Sequence, residues 1–456
     1  MTETVYIGAA LLFSALAVLA LGTAMEFESR WRAFMTPALY FLILVNNCAV
    51  PILAGRDVIS PERLSPASSL GKWFTRMVIV STLTICAARM VGAAFSRENR
   101  ASGGGVLFAS FWLYFLTGIV LTSALGTHPE FQHDQYYVPF LFAAVYASRA
   151  QDPEPAVRFA KVGLFGFLLV SGLVSFVAPQ LTIETGYASW FPGVTFRFWG
   201  LESHANSMGP LALVYLLVAL HQPFERRWLQ RFGLLLGVAV LLLAQSKTTW
   251  TAAAITVPLL LIVRNGAWGT AAFSLVSLGG VLGIALLVLP ALGVSFDALS
   301  ETRQGYEASR FTGRDVIWSL ALQEWMRNPL FGYGISMWNE AYRLQIGMDH
   351  AVSAHNQFLQ TLSVAGTIGL LGLLVYLGTL ARYAIRAARP SQGLSVALLI
   401  LVLLRCVTET PLQLESFLSG AFVTHLLLFH IALAHGQGAP HAAPAAAPLM
   451  PAGSAA

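Results

Sequence analysis

Charge is what this sequence has least of. Asp, Glu, Lys and Arg make up 11% of its 456 residues, whereas a soluble domain carries about 25%. A chain so poor in charge belongs in a membrane rather than in water. Cysteine is scarce too. Cys48, Cys86 and Cys406 are odd in number, widely spaced and set in apolar runs. They point neither to a disulfide framework nor to a metal site. There is no Walker loop, dinucleotide-binding fingerprint, zinc motif or coiled-coil heptad, so no process powered directly by ATP and no cofactor is expected. The N-terminus lacks a cationic region followed by a small-residue cleavage site, and the first apolar run, 5–25, is expected to stay as a helix.

What the chain has is apolar length. Hydrophobic residues make up 56% and the mean hydropathy is +0.66. Runs near the length that crosses roughly 30 Å of hydrocarbon recur at 5–25, 35–54, 73–95, 106–126, 137–149, 159–178, 208–221, 232–246, 249–263, 270–290, 357–380, 394–408 and 416–434. The expected fold is an all-α polytopic membrane protein with about 12 transmembrane helices. Residues 1–290 form helices with short loops, 291–355 one large, helical outer loop, 356–435 further helices, and 436–456 a disordered Ala/Pro-rich tail.

The net charge of +5 reads as cytoplasmic Lys and Arg on short loops, not as a nucleic-acid surface. Arg97 and Arg100, then Arg149, Arg158 and Lys161, then Arg226, Arg227 and Arg231, then Arg382, Arg386 and Arg389 mark one side. Loops 127–136, 179–207 and 409–415 alternate with them and read as the outer side. The first three helices fit less well, because Arg56, Arg63 and Lys72 sit on a loop this scheme places outside. The 291–355 segment falls outside as well, and at over roughly 60 residues its own charges do not vote on orientation.

Within and just after that segment, residues 309–360 gather Arg310, Arg314, Arg327, His350 and His355. Long loops in compact proteins are usually functional or disordered. Arg310 and Arg314 lie four apart, and the arginine fork suits two phosphate oxygens; a salt bridge from Arg314 to Asp315 or Glu307 is the plainer alternative. His355 stands directly before the run at 357–380, and imidazole can take a proton from a sugar hydroxyl near neutral pH. Arg197 sits among Tyr187, Trp190, Phe191, Phe196, Phe198 and Trp199, at the height of a lipid phosphate or of bulk headgroups. Lys247 is the single cation of a tight turn and serves an anionic headgroup or an interfacial anchor. His204 and His350 are weaker candidates. Arg76, Arg89 and Arg405 lie inside apolar runs, where charges face interiors or partners. Arg405 and Glu409, four apart, read as a structural pair first and a headgroup site second.

At these positions the chain resembles the O-antigen ligase and polymerase family of bacterial envelope glycosyltransferases. Four features carry the resemblance: Arg197, Gly200 and Asn206 in RFWGLESHANSMG; Ser246–Lys247 between two helices, where the family more often has Ser–Arg; Gly313, Arg314 and Trp318 in TGRDVIW, followed by NPLFGYG; and His355–Asn356 leading into FLQTLSVAGTIGLLG. The resemblance implies a GT-C-like fold and a donor glycan on undecaprenyl-pyrophosphate, used at the periplasmic face of the inner membrane. It implies His355 as base and Arg197 and Arg314 as pyrophosphate binders, with Arg310 and Lys247 beside them and Asn356, His350, His204 and Arg405 as accessories. Lysine at 247 keeps the charge and loses the fork.

The residue chemistry agrees. A lipid pyrophosphate leaves readily once its charge is neutralised. The outer segments show no Asp-x-Asp cluster to hold a divalent metal, and arginines do the same electrostatic work. The expectation is a metal-independent, inverting transfer to lipid A-core. Polymerisation of lipid-linked repeats, protein O-glycosylation (whose enzymes usually carry a larger soluble C-terminal part), and a flippase or exporter of lipid-linked sugar are the alternatives. A flippase is expected to show a repeat between halves, which is absent from this sequence.

Overall fold

The computed structural model describes residues 29–55, 69–95, 103–187, 189, 191, 193–266, 269–270, 274, 314–348 and 351–436. The expected run at 5–25, all but residues 270 and 274 of the run at 270–290, the tail beyond 436, Arg310 and His350 lie outside them. Each expected run inside them is helical. The order begins α1 (Ser29–Ala54), α2 (Ser69–Phe95), α3 (Gly105–Phe115), a π-turn at Leu116–Val120, α4 (Leu121–Leu125), α5 (Val138–Ala147) and α6 (Glu154–Val177). A short hairpin follows, β1 (Ile183–Thr185) and β2 (Phe196–Phe198), then α7 (Ala205–His221), α8 (Arg227–Leu243) and α9 (Lys247–Arg264). The last elements are α10 (Arg314–Arg327), α11 (Glu340–Gln345), α12 (Gln357–Arg386), α13 (Leu394–Thr408) and α14 (Gly420–His435).

The chain is a helical membrane protein. Among the described residues five helical stretches are long and apolar enough to cross a membrane: 34–54, 69–95, 105–125, 154–177 and 357–386. Three shorter apolar helices, α7, α13 and α14, accompany them. Helices α7 and α14 are buried almost all round, which marks them as the centre of the bundle. Phe111, Phe142, Tyr376 and Phe429 pack together there, the first two stacked at 3.8 Å. On the periphery the apolar side chains point outward: Leu70, Met77 and Val80 on α2, and Leu235, Val238 and Leu242 on α8. In water such surface would be a liability; in hydrocarbon it is the expected exterior.

Two departures from the expected fold shape one end of the bundle. The first is the hairpin, which pairs Glu184 with Arg197 and Thr185 with Phe196. The second is a break in α12. Gly366 has φ 65°, a conformation open to glycine at little cost. The break receives the loop 329–334: Tyr333 N donates to Ser363 O at 2.8 Å, Gly334 N to Val364 O at 3.0 Å and Thr367 N to Pro329 O at 2.8 Å. A side chain on Gly332 would stand 2.6 Å from the Val364 carbonyl. The same loop pairs with the end of α4, where His128 N donates to Tyr333 O at 2.7 Å. NPLFGYG is therefore a structural clasp that fixes α10 and the start of α12 against the bundle.

The ends of the bundle differ chemically. At one end Lys161 Nζ donates to Gln222 O at 2.8 Å and His221 meets Glu154 at 3.3 Å, so the cation-rich loops meet. At the other end loops 127–136, 179–207 and 409–415 converge on the clasp and on α10. The loops at 149–161 and 221–231, which the alternation places on one side, thus meet at one end, while Arg97 and Arg100 lie outside the described residues.

Candidate active site

Four segments meet at the second end, and one carboxylate holds them. Glu409 follows the last residue of α13 in an extended conformation, φ −152° and ψ −176°. Its Oε1 accepts from Arg314 Nη2 at 3.1 Å and from Asn206 Nδ2 at 2.9 Å. Its Oε2 lies 3.0 Å from His355 Nδ1. Arg314 also donates through Nη1 to Thr408 O at 2.6 Å. The hub is mostly shielded: the Arg314, Glu409 and His355 side chains are 15%, 16% and 23% exposed. Burial pushes the Glu409 carboxyl up, but the His355 hydrogen bond and the charges of His355, Arg314 and Arg405 outweigh it and hold its pKa at about 2. Glu409 is thus an anion throughout the working range.

That ionisation fixes the imidazole. A carboxylate only accepts, so His355 Nδ1 carries the proton and Nε2 holds the lone pair. Among the described residues nothing bonds to Nε2. The backbone of His355 is strained, with φ 47°, which a non-glycine residue adopts at a cost and often at functional positions. Three contacts impose it. Ala354 N donates to Gln360 Oε1 at 2.8 Å, Trp318 Nε1 donates to Ala354 O at 2.9 Å, and His355 N donates to Ser353 Oγ at 3.2 Å. Arg314 and Trp318 lie four apart on α10, hence on one face. The Gly–Arg–x–x–x–Trp pattern therefore delivers one side chain to Glu409 and the other to the histidine turn. Asn356 closes the turn as the N-cap of α12, its Oδ1 accepting from Phe358 N and Leu359 N at 3.0 Å each.

Arg197 joins through Asn206. It is 7% exposed and donates from Nε to Ala244 O at 2.8 Å and from Nη2 to Asn206 Oδ1 at 2.5 Å. Its guanidinium also stands 5.0 Å from the centre of the Tyr187 ring. Asn206 thereby links Arg197 to Glu409. His204 caps α7 by accepting from Asn206 N at Nδ1, 3.0 Å away. Burial first, and then the Arg197 charge, lower its pKa to about 4, which suits an acceptor that must stay neutral. Arg405 is buried on α13 and donates to Asn206 O at 3.4 Å.

The structure thus brings Arg314 and His355 into direct contact with one group, and Arg197 into contact at one remove. Asn356, His204 and Arg405 brace them. Lys247 is placed differently. It begins α9, is exposed, and is not among the groups bonded to Glu409. The α8–α9 turn serves Arg197 with its backbone instead, through Ala244 O, and Gln245 Nε2 donates to Phe196 O at 2.9 Å. The expected Arg405–Glu409 pair is replaced. The helix ends at Thr408, so the i,i+4 geometry fails and the carboxylate swings to Arg314 and His355. Glu409 is the residue that sequence reasoning undervalued. Its signal was available: an acid at the outer mouth of an apolar run, facing outer segments rich in arginine.

Comparison with curated proteins gave no match. Residues 232–376 match the family model described as O-antigen ligase. The matched segment runs from α8 to the middle of α12 and includes Lys247, Arg314 and His355. Over that segment, about a third of its length, the chain is similar to the O-antigen ligase family.

Proposed function

We propose that the protein transfers a glycan from undecaprenyl-pyrophosphate to the lipid A-core oligosaccharide, at the periplasmic face of the bacterial inner membrane. The observation that carries this reading is Glu409 binding Arg314 and His355 at once. A phosphate-binding fork and a base with an oriented lone pair then stand side by side, as a displacement at a sugar pyrophosphate requires. His355 Nε2 takes the proton from the acceptor hydroxyl. The oxygen attacks the anomeric carbon from the face opposite the leaving group. The bond from that carbon to the pyrophosphate oxygen breaks, and the electron pair leaves on the pyrophosphate. One displacement inverts the anomeric centre.

The pyrophosphate rests on the N–H groups of Arg314 and Arg197 that Thr408, Glu409, Ala244 and Asn206 do not engage. Such donors stabilise the charge that develops on the leaving oxygen. Both oxygens of Glu409 are already engaged by donors, which supports transfer without a metal bridging through this carboxylate. A proton acceptor in such a reaction contributes about 10²–10⁴-fold.

The test uses purified protein in proteoliposomes with undecaprenyl-pyrophosphate-linked glycan and rough lipopolysaccharide. Transfer is expected without ATP and in the presence of EDTA, with inversion at the new linkage. Activity lost to EDTA and restored by a divalent ion would contradict the metal-free step. Extension of a lipid-linked repeat in place of lipopolysaccharide would identify a polymerase. Movement of donor across the bilayer with no new glycosidic bond would identify a flippase and overturn the enzyme reading.

A further inference from the structure

Beside the hub lies a crevice of a different character. Two of its walls continue segments of the hub, the turn from His355 into α12 and the loop from Glu409 to Glu415; the rest of the lining comes from the Tyr114–Ile119 stretch, Gln135 and Ile335. Gln357 Oε1 accepts from Leu412 N at 2.8 Å, and Tyr114 donates to Leu412 O at 3.1 Å, so the two walls are tied together. Among the described residues no Lys, Arg or His lines it. The polar lining is Gln135, Gln357, Gln360, Thr361, Gln413 and Glu415, with the Tyr114 hydroxyl. A carboxylate with no cation beside it disfavours a pyrophosphate. A neutral hydroxyl is suited to it, because each of these groups offers an acceptor or a donor.

One atom shows that the crevice lacks a partner. Gln135 is 1% exposed, and its Oε1 is buried with no hydrogen bond. A buried carbonyl oxygen without a donor costs about 1–3 kcal/mol, and a hydroxyl placed in the crevice removes that cost. Glu415 is the second open acceptor. One of its oxygens takes the Gln413 amide, and its side chain is accessible through the crevice. The free space is about 30 Å³. A water needs roughly 10–15 Å³ by the same measure, so the space suits a protruding hydroxymethyl and not a whole sugar ring.

We propose that this crevice is a sugar-reading subsite, in which Gln135 and Glu415 accept hydrogen bonds from a protruding hydroxyl or hydroxymethyl of a neutral sugar while the pyrophosphate lies on the arginine side. The proposal rests on the glycan-transfer reading above. The sugar comes either from the acceptor oligosaccharide or from the glycan end attached to the pyrophosphate.

The experiment compares full-length wild type with Glu415→Ala and Gln135→Leu in proteoliposomes, varying rough lipopolysaccharide and lipid-linked glycan separately. Loss of one hydrogen bond is expected to raise one KM by about five- to tenfold, with a smaller effect on kcat. A rise for lipopolysaccharide makes the sugar the acceptor's; a rise for the glycan makes it the donor's. Either result supports the subsite. Glu415 is on an accessible loop, so its variant tests the idea even if Gln135→Leu melts early. An active wild type whose two KM values are unchanged by Glu415→Ala means the crevice holds water only and overturns the subsite alone. A wild type without any transfer overturns the transfer reading, and the subsite falls with it.

Discussion

Replacing Glu409 with glutamine is the sharpest test of the hub. The variant keeps the shape of the side chain and removes its charge. In the folded protein the carboxyl sits near 2 in place of 4.5, and each unit corresponds to about 1.4 kcal/mol. The surroundings therefore favour the charged form by about 3 kcal/mol, an amount Glu409→Gln forfeits. The linkage has a definite sign. The folded pKa is depressed, so the unfolded chain binds the extra proton and stability rises with pH. The contribution is complete above the unfolded value near 4.5 and is lost as pH falls from there toward 2. Melting in detergent is thus expected to separate wild type from Glu409→Gln at pH 7 and to bring them together as pH approaches 2. Activity is the second readout. If Glu409 acts by holding His355 Nδ1, its loss costs a large part of the 10²–10⁴-fold that a base supplies. The double variant with His355→Ala then loses no more than His355→Ala alone, because residues that act as a unit are not additive. Full additivity, or near-normal transfer by a well-folded Glu409→Gln protein, would refute the orienting role.

Other substitutions probe the remaining parts. Arg314→Lys retains charge but loses the planar fork whose separate nitrogens reach Thr408 O and Glu409, and transfer is expected to fall by at least tenfold; wild-type turnover would mean that net charge suffices. Gly366→Ala places a methyl group on the Leu330 carbonyl at φ 65°, at a cost of about 1–3 kcal/mol from backbone strain alone. A lowered melting temperature is expected, and an unchanged one would show that α12 need not break there. Lys247→Ala is expected to keep transfer within about threefold, since Lys247 is exposed and the Glu409 carboxylate is held by Asn206, Arg314 and His355; a loss beyond tenfold would return Lys247 to the donor site.

The helices were legible because apolar length is a strong signal, and the runs at 35–54, 73–95 and 394–408 coincide with helices to within a few residues. The break in α12 was not. FLQTLSVAGTIGLLG reads as one apolar helix, and only the loop 329–334, more than thirty residues upstream, reveals why Gly366 leaves the helical region. The hairpin was hidden for a similar reason. Each strand has three residues, too few for an alternating pattern, and its aromatics read equally well as an interfacial belt. Arg197, Arg314 and His355 could be found singly by residue type. Their connection could not: Glu409 stands out as an acid beside an apolar run, but what joins it to Asn206, Arg314 and His355 is the meeting of four segments in space.

That connection changes what the arginines contribute. A cluster of free cations would attract a pyrophosphate by net charge. Here each arginine already has a carboxylate near it: Glu184 and Glu409 act on Arg197, Glu409 pairs with Arg314, and Glu409 and Glu202 act on Arg405. The fold has largely neutralised the charge, as burial demands. The donor's gain must then come from N–H groups held at fixed positions, since the Coulombic attraction has been spent within the protein. Fixed donors need no reorganisation when charge develops on the leaving oxygen, which is where electrostatic catalysis is most effective. Glu409 is central on this view for two reasons at once. It cancels the charge that would otherwise bind any anion, and it locks the geometry of Arg314 and His355, by which a sugar pyrophosphate and an acceptor hydroxyl are brought together.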